Sequence, residues 1–324
     1  MTYDYKEKNS AVYSEMMKQI TTTDFKLPKK TVITLGKFDG LHRGHQKLLQ
    51  VMEEYKNQGY ETVVFTFSVP PAAIVKGQQG GQLMTGEEQA EALLAEGVQW
   101  MISYPCDRKL IETSAEDFIR AILVEKCQAG VIVVGTDFHF GYQRRGDYRM
   151  LQAYAGQYGY QVVVVEKELD EESGLEISST LIRQELYQGR MPHVNRLLGY
   201  PYTFRGEVVY GRQLGGKLGF PTMNICPDEK KAIPPLGVYC VKVSLDGKIY
   251  NGIANLGYKP TVTEEHKLLL ETFLFDFTDI SYGKTISVML YFFVRAEQKF
   301  ANIQALREQM TKDIAFGRDF FLSI

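Results

Sequence analysis

Apolar and polar positions follow two different rhythms along the chain. From Thr31 to about residue 190, short apolar runs alternate with stretches in which apolar residues recur every three or four positions. The apolar runs predict strands over Thr31–Leu35, Glu61–Phe67, Gln99–Tyr104, Gly130–Val134 and Tyr160–Val165. The recurring stretches predict helices over Gly44–Asn57, Gly86–Ala95, Ser114–Cys127, Asp147–Tyr158 and Ser178–Gln188. Such alternation is typical of an α/β fold with a doubly wound parallel sheet.

Two runs in this half, Val131–Val134 and Val162–Val165, are apolar throughout, which predicts strands buried on both faces. Before Thr31, we predict only a short helix over Ala11–Ile20 within a solvated N-terminal extension, residues 1–30. This extension carries no recognisable motif.

After about residue 191 the helical periodicity gives way to successive strands. These are predicted over Thr203–Tyr210, Gly237–Ser244, Lys248–Asn255, Leu268–Phe277 and Thr285–Val294. The dipeptide Asp246-Gly247 is a signal for a two-residue hairpin. A helix is predicted after Asn302, with Ile303, Leu306 and Met310 on one stripe. The second half is therefore predicted to be all-β, an antiparallel β-barrel with a C-terminal helix.

The chain of 324 residues is long enough for two domains, and we place their boundary near Arg190 to Tyr200, giving domains 31–190 and 191–324. Its 37 basic and 39 acidic residues argue against a protein built to bind nucleic acid. It contains no apolar run of about 18 residues and no signal peptide at its start, so we expect no membrane partner and a cytoplasmic location. The sequence does not indicate an oligomeric state.

The four cysteines are scattered, without a C-x-x-C pair. They are predicted to be buried thiols of a reducing compartment, not zinc ligands or disulfides, and are Cys106, Cys127, Cys226 and Cys240.

The stretch Gly36–His45, with the sequence GKFDGLHRGH, follows a predicted strand and opens a predicted helix. A helix N-terminus has unpaired N–H groups and a positive dipole end, so a polyphosphate would bind well there. His42 and His45 are three residues apart, which puts both imidazoles on one face of the first turn. A lone histidine is usually structural, but two at this spacing favour a functional site.

Further anion-suited segments follow the later strands of the α/β half. They are Val133–Gly141, Arg144–Asp147 and Ile177–Arg183. The last begins a helix with two serines and a threonine, and places an arginine one turn on, where it could bind phosphate. Taken alone, Ser178 is better interpreted as a helix cap and Arg183 as a surface charge. Three such segments in one sheet are unlikely to coincide by accident.

Two features of the second half carry candidate chemistry. Gly211–Leu218 nearly matches a P-loop, but Leu218 replaces the magnesium-binding hydroxyl and no helix follows, so we reject that interpretation. Glu271 is a single acid within the apolar strand Leu268–Phe277. Such an acid needs a partner or a function, although an outward-facing carboxylate fits the strand pattern equally well.

These motifs resemble, in order, those of the bacterial bifunctional riboflavin kinase/FMN adenylyltransferase family. The first half is similar to its G-x-F-D-G-x-H-x-G-H, V-V-G-x-D-F-x-F-G, R-x-G-D and I-S-S-T-x-I-R motifs, which implies a nucleotidylyltransferase-like domain. The second half is similar to its G-[RK]-x-L-G-F-P-T-A-N signature and to the kinase motif that carries a general base. The resemblance extends from about Thr31 to Asp313.

The resemblance implies ATP-dependent phosphorylation of riboflavin to FMN, then adenylyl transfer from ATP to FMN, giving FAD. His42, His45 and Glu271 are the implied catalytic residues. ATP and flavin binding in the first domain is implied for Gly36, Phe38, Asp39, Gly44, Asp137, Ser178, Ser179, Thr180 and Arg183. In the kinase domain it is implied for Gly211, Lys217, Gly219, Pro221, Asn255 and Arg295. Thr222 and Asn224 offer two oxygens suited to Mg²⁺.

The chain departs from the family patterns at several positions. These are Lys37, Pro70, His139, Glu176, Met223 and Phe273. Pro70 stands where the family has histidine, and Glu176 where a basic residue is common. Two alternatives therefore stay open: a working kinase with a degenerate adenylyltransferase, and a flavin-sensing protein without turnover.

Overall fold

The computed structural model describes residues 17–68, 81–210, 219–260, 266–277 and 281–324. Contacts within the chain divide it into two compact units, and the division falls between Ser179 and Thr180. The interval in which we placed the domain boundary contains a helix, so the boundary itself stays a prediction.

A six-stranded, all-parallel sheet forms the centre of the first unit, with the order β1-β4-β3-β2-β5-β8. A separate two-stranded ribbon, β6-β7, follows β5. The strands are β1 Lys18–Ile20, β2 Thr31–Leu35, β3 Glu61–Phe67, β4 Trp100–Tyr104, β5 Ala129–Gly135, β6 His139–Phe140, β7 Gly146–Asp147 and β8 Gln161–Val165.

Helices connect these strands and follow the last of them. They are α1 Arg43–Lys56, α2 Gly86–Ala95, α3 Arg108–Ile111, α4 Ala115–Asp117, which continues as a π-helix over Phe118–Lys126, α5 Tyr148–Tyr158 and α6 Ser179–Tyr187. The start of α2 is fixed by a reciprocal pair of hydrogen bonds between Thr85 and Glu88, and Asp147 caps α5. Every residue of β2 is buried, as expected of a central strand covered on both faces.

The strand order reverses direction at β2. From β2 the sheet continues through β3 and β4 on one side and through β5 and β8 on the other. In doubly wound sheets such a reversal opens a crevice at the carboxyl ends of the two strands concerned, and ligands bind there. The predicted parallel sheet is confirmed, and the crevice lies after β2 and β5.

An antiparallel six-stranded sheet forms the second unit, with the order β10-β13-β12-β11-β14-β9. Its edges meet where Val209, just after β9, pairs with Asn224 of β10. The elements are α7 Met191–Leu198, β9 Tyr202–Glu207, β10 Met223–Ile225, β11 Gly237–Leu245, β12 Lys248–Pro260, β13 His266–Leu274, β14 Thr285–Ala296 and α8 Ile303–Leu322. The predicted antiparallel fold with a C-terminal helix is confirmed, including the hairpin turn at Asp246-Gly247, where both residues have positive φ.

The helix α8 packs against the outer face of this sheet. Its buried residues are Asp313 and Gly317. A Cβ atom on Gly317 would lie 2.7 Å from Cγ2 of Ile253 and 3.0 Å from Cζ of Phe275, so only glycine allows this close approach. Ile303 of the predicted apolar stripe is exposed, because the contact is made by the later turns of the helix.

The segment before β2 corrects one expectation. Lys18–Ile20 is a strand parallel to β4, not the end of a helix, and Met17 and Leu27 are buried. At least this part of residues 1–30 is therefore packed on the first unit and is not a solvated extension.

Three further expectations need correction. The valines Val162–Val165 are only half-buried, because β8 is an edge strand. All four cysteines are free thiols, but only Cys127 and Cys240 are buried, while Cys106 is half-buried and Cys226 is exposed. The helices α3 and α7 were not predicted, since α3 is a single turn and α7 occupies the interval we had assigned to a boundary.

The start of β11 generates a prediction about stability. Gly237 has φ 151°, and a Cβ atom there would lie 2.1 Å from the backbone oxygen of Arg295 on β14. Because backbone cannot move aside cheaply, Gly237→Ala should lower the free energy of unfolding by about 2–4 kcal/mol. The control is Gly247→Ala, where φ is 73° but the space is open, so the cost should be about 1 kcal/mol. Urea unfolding measures both, and equal losses would contradict this explanation.

Candidate active sites

A tight turn joins β2 to α1 at the crevice of the parallel sheet. Phe38, Gly40 and Leu41 have positive φ values of 51°, 83° and 33°, so the chain reverses sharply within a few residues. The backbone N–H of Gly36 donates to the carbonyl of Phe65, which fixes the turn to β3. Non-glycine residues with positive φ are costly and are retained where the surroundings hold them in place.

The carboxylate of Asp39 holds the turn from within. It is buried, and its Oδ1 accepts hydrogen bonds from the backbone N–H groups of Leu83 (2.7 Å) and Met84 (3.3 Å). The hydroxyl of Ser179 donates to the backbone oxygen of Asp39 at 2.8 Å. Asp39 and Ser179 therefore order the turn through these bonds.

The two imidazoles of the turn lie against each other. The rings of His42 and His45 are stacked with centroids 3.7 Å apart, and Phe38, which is fully buried, packs on His45 at 4.7 Å. A Cβ atom on Gly44 would lie 3.2 Å from Nδ1 of His42 and 3.5 Å from the oxygen of Ile177, so a side chain there would press on the histidine pair. Burial, and then the neighbouring His42, lower the pKa of His45 well below its usual value. His45 is therefore neutral at pH 7.

This geometry suits a bound anion such as a phosphate group. The first turn of α1 contains no acidic residue, and the side chain of its N-cap residue, His42, does not cap it. The positive end of its helix dipole lies at the crevice after β2, where it favours an anion. A neutral His45 can donate a hydrogen bond there without adding like charge beside His42.

Charged side chains surround the carboxyl ends of the neighbouring strands. After β5, the exposed Asp137 pairs with Lys167 (3.3 Å), and Lys167 also pairs with Glu176 (2.5 Å). After β8, Glu168 accepts from Arg43 of α1 at 2.9 Å. His139 is exposed, and its Nδ1 lies 2.7 Å from the backbone oxygen of Asp137.

In the antiparallel sheet, four of the predicted kinase residues lie in one row across neighbouring strands. Asn224 on β10 stands opposite Glu271 on β13, which stands opposite Asn255 on β12. The row continues through Val238 on β11 to Arg295 on β14. Residues directly opposite one another share a face, with Cβ atoms about 4.5–5.5 Å apart. Glu271 is therefore flanked by two asparagines on the outer face of the sheet.

The members of this row differ in how their polar groups are satisfied. Oδ1 of Asn224 is buried and, among the described residues, has no hydrogen-bond partner. Asn255 donates from Nδ2 to Glu297 at 3.1 Å. Arg295 is held by Asp313 of α8, with Nη2 2.6 Å from Oδ2. A buried oxygen without a partner is costly, so the Asn224 side chain suits a cation or a donor from a ligand.

Comparison with known proteins identifies both halves. Residues 24–181 match the family model for FAD synthetase, and residues 198–321 match that for riboflavin kinase. The bifunctional riboflavin kinase/FMN adenylyltransferase of Escherichia coli K12 is 36% identical over 293 residues, covering 90% of this chain and 92% of that protein. The chain belongs to this family. The Listeria monocytogenes member is 34% identical, with 94% of this chain and 96% of that protein covered.

A solved member of the same fold spans both units. The crystal structure described as a macrolide-efflux protein from Streptococcus pneumoniae superposes with a TM-score of 0.81 and 28% identity, covering 92% of this chain and 97% of that one. In the part of the present chain that the structure describes, no helix is long and apolar enough to cross a membrane.

Of the site residues predicted from the family motifs, the structure brings two groups together. The turn after β2 contains or contacts Gly36, Phe38, Asp39, Gly44, His42, His45 and Ser179. The row in the antiparallel sheet contains Asn224, Glu271, Asn255 and Arg295. The half-buried Pro221 and Thr222 lead into β10, and Gly219 is exposed with φ 88°. Ser178 precedes α6, Thr180 is exposed and Arg183 is half-buried in α6. Gly211, Lys217 and the family departure at Pro70 lie outside the described residues.

Sequence reasoning missed the side chains that hold these residues in place. Lys167, Asp313 and Glu297 contact Asp137, Arg295 and Asn255 respectively. Sequence signals were available for two of them: Lys167 lies two residues after a strand end, and Asp313 lies on the packed face of a helix. Neither indicates its partner, because the partners are distant in sequence.

The shifted pKa of His45 generates a prediction about pH. Unfolded His45 takes up a proton near pH 6.5, whereas folded His45 resists it, so its contribution to stability is present above pH 6.5 and is lost as the pH falls below. We expect the free energy of unfolding of the wild type to fall more steeply between pH 7 and pH 5 than that of His45→Gln. The difference should be up to about 1.4 kcal/mol per pH unit. Urea unfolding at a series of pH values measures it, and parallel curves would contradict the burial of a neutral imidazole.

Proposed function

We propose that this chain phosphorylates riboflavin to FMN in its antiparallel sheet domain and adenylylates FMN to FAD in its parallel sheet domain, with ATP as co-substrate in both reactions. The proposed domains are 31–190 for the adenylyltransferase and 191–324 for the kinase. The observation that carries the proposal is the presence of two separate groups of residues suited to phosphate chemistry. They are the stacked histidines at the helix N-terminus and the row that centres on Glu271.

In the adenylyltransferase reaction, a phosphate oxygen of FMN attacks the α-phosphorus of ATP, and pyrophosphate leaves. Such a reaction depends on positioning and on stabilising the charge that develops on the phosphates. The N–H groups at the start of α1 and the hydrogen-bond donors of His42 and His45 would do this in the crevice. Ser179, Thr180 and Arg183 would hold the departing pyrophosphate, and Asp39, Phe38 and Gly44 keep the imidazoles in place.

The first test removes one imidazole. In His45→Ala, we expect FAD formation from FMN and ATP to fall by at least 10²-fold, because the transition state loses a positioned donor. FMN formation from riboflavin should continue at the wild-type rate, and urea unfolding of the variant shows whether its first unit is folded. Chromatography of the flavin products measures both rates. Undiminished FAD formation would rule out this role for His45.

In the kinase reaction, the ribityl 5′-hydroxyl of riboflavin attacks the γ-phosphorus of ATP, and ADP leaves. Glu271 would accept the hydroxyl proton as general base. Its neighbours on both sides in the row are asparagines, whose neutral amides do not repel a carboxylate. Arg295, on the same face and held by Asp313, would contribute positive charge near the phosphates.

Mg²⁺ would bind at Asn224 and Thr222. The buried Oδ1 of Asn224 without a partner among the described residues fits a hard cation, which prefers oxygen ligands. When bound, Mg²⁺ neutralises charge on the phosphates of ATP. Gly219 and Pro221 would shape the chain that leads into this site, together with Gly211 and Lys217.

The second test removes the proposed base. Glu271→Gln keeps the size of the side chain but cannot accept the proton, so FMN synthesis should fall by about 10²–10⁴-fold. FAD synthesis from supplied FMN should be unchanged. The matched control is Glu297→Gln, which changes a carboxylate near the same row. Kinase activity retained in Glu271→Gln would exclude it as the base.

The two alternatives give different products in one assay. Incubation of the wild type with riboflavin, Mg²⁺ and ATP should yield FAD. FMN alone would indicate a kinase with a degenerate adenylyltransferase, and no product would indicate a flavin-sensing protein. The ordered turn after β2 and the neutral, stacked His45 support the full reaction sequence. Synthesis from ATP and riboflavin fits the cytoplasm, which is where we propose that the protein acts.

A further inference from the structure

Three neighbouring strands of the parallel sheet bring charged or polar side chains to the crevice at their carboxyl ends. The histidine turn follows β2, Asp137 follows β5, and Lys167 follows β8 by two residues. The first two are expected from the family motifs. Lys167 is not, and it contributes an ammonium group to the same edge of the sheet.

The segment that carries Lys167 lies directly against the start of α1. Glu168 accepts from Arg43 at 2.9 Å, and Lys47 is 3.4 Å from the same carboxylate. The backbone N–H of Ile177 donates to the oxygen of Glu168, and the oxygen of Ile177 is 3.5 Å from the position of a Cβ on Gly44. The pair of Lys167 and Glu176 therefore stands one residue from contacts with the histidine turn.

The ammonium group of Lys167 contacts two carboxylates but has three N–H donors. Among the described residues its polar contacts are Asp137 Oδ2 at 3.3 Å and Glu176 Oε1 at 2.5 Å. An ammonium group has three N–H donors, so one remains for a ligand. Two carboxylates fix the flexible side chain, which reduces the entropy that phosphate binding would otherwise cost. Burial opposes the charge, but hydrogen bonds to Glu176 and Asp137 outweigh it, and the pKa of Lys167 is raised.

We propose that Lys167 is a further phosphate-binding residue of the adenylyltransferase site, contributed by the end of β8. Its ligand is a phosphate group in the crevice, either of the ATP polyphosphate chain or of FMN. Glu176 holds the ammonium in place and competes with that phosphate for it. This inference rests on the proposed adenylyltransferase function.

The two partners of the ion pair give opposite expectations. If Lys167 binds phosphate, Lys167→Gln should raise the KM for one substrate of FAD formation by about tenfold, and Lys167→Arg should restore most of the loss. Glu176→Gln should leave that KM unchanged or lower it, because a competing carboxylate is removed. If the pair is only structural, Glu176→Gln should also raise the KM, because it breaks one of the two contacts that hold the lysine.

The experiment measures KM for ATP and for FMN separately in the full chain, and the substrate whose KM rises identifies the phosphate. Urea unfolding of the same preparations is the control for folding of the first unit. Unchanged KM values in Lys167→Gln, or a raised KM in Glu176→Gln, would overturn the proposal.

A binding measurement separates this inference from the proposed function. Titration of the full chain with inorganic pyrophosphate, and separately with FMN, should show about tenfold weaker binding of one of the two ligands in Lys167→Gln than in the wild type. This readout holds even if the wild type makes no FAD, a result that would defeat the proposed function alone. A wild type that makes FAD, with equal binding of both pyrophosphate and FMN in the two proteins, would defeat the lysine proposal alone.

Discussion

The reversal of strand order at β2 is the constraint on which the first site depends. It leaves an open crevice at the carboxyl ends of β2 and β5, and the turn that leaves β2 lines it. That turn must reverse within a few residues, which forces positive φ values at Phe38 and Leu41. Their strain is held by hydrogen bonds to the buried carboxylate and to the carbonyl of Asp39. The stacked imidazoles therefore stand on a backbone that has little freedom to move them.

The two sites are built by different means. In the parallel sheet, side chains converge because successive loops meet at one edge. In the antiparallel sheet, Asn224, Glu271 and Asn255 align because they occupy one register across three hydrogen-bonded strands. In the parallel sheet, side chains have fixed positions only where hydrogen bonds such as those of Asp39 hold a turn. In the antiparallel sheet, the hydrogen bonds between strands themselves set the distances between the side chains of the row.

Much of this architecture was readable from sequence. Apolar runs located β2 and β3 to the residue, because central strands are buried on both faces and are therefore mostly apolar. The motifs located the histidine turn, and pattern alone noticed Glu271 as an acid in an apolar strand. The strand Lys18–Ile20 was missed because an edge strand of three residues has no periodicity to detect. The contacts of Lys167 were also beyond sequence reasoning, since Asp137 lies in another loop and Glu176 further along its own, and only the fold brings them together.

The single-row arrangement limits which insertions and deletions this domain can accept during evolution. Side chains along a strand point alternately to the two faces, so the loss or gain of one residue inside β13 would turn Glu271 toward the barrel interior and present the buried Thr272 instead. Length variation is thus confined to the connections between strands, or must come in steps of two. The strand register therefore keeps Asn224, Glu271 and Asn255 aligned even when the lengths of the surrounding loops change.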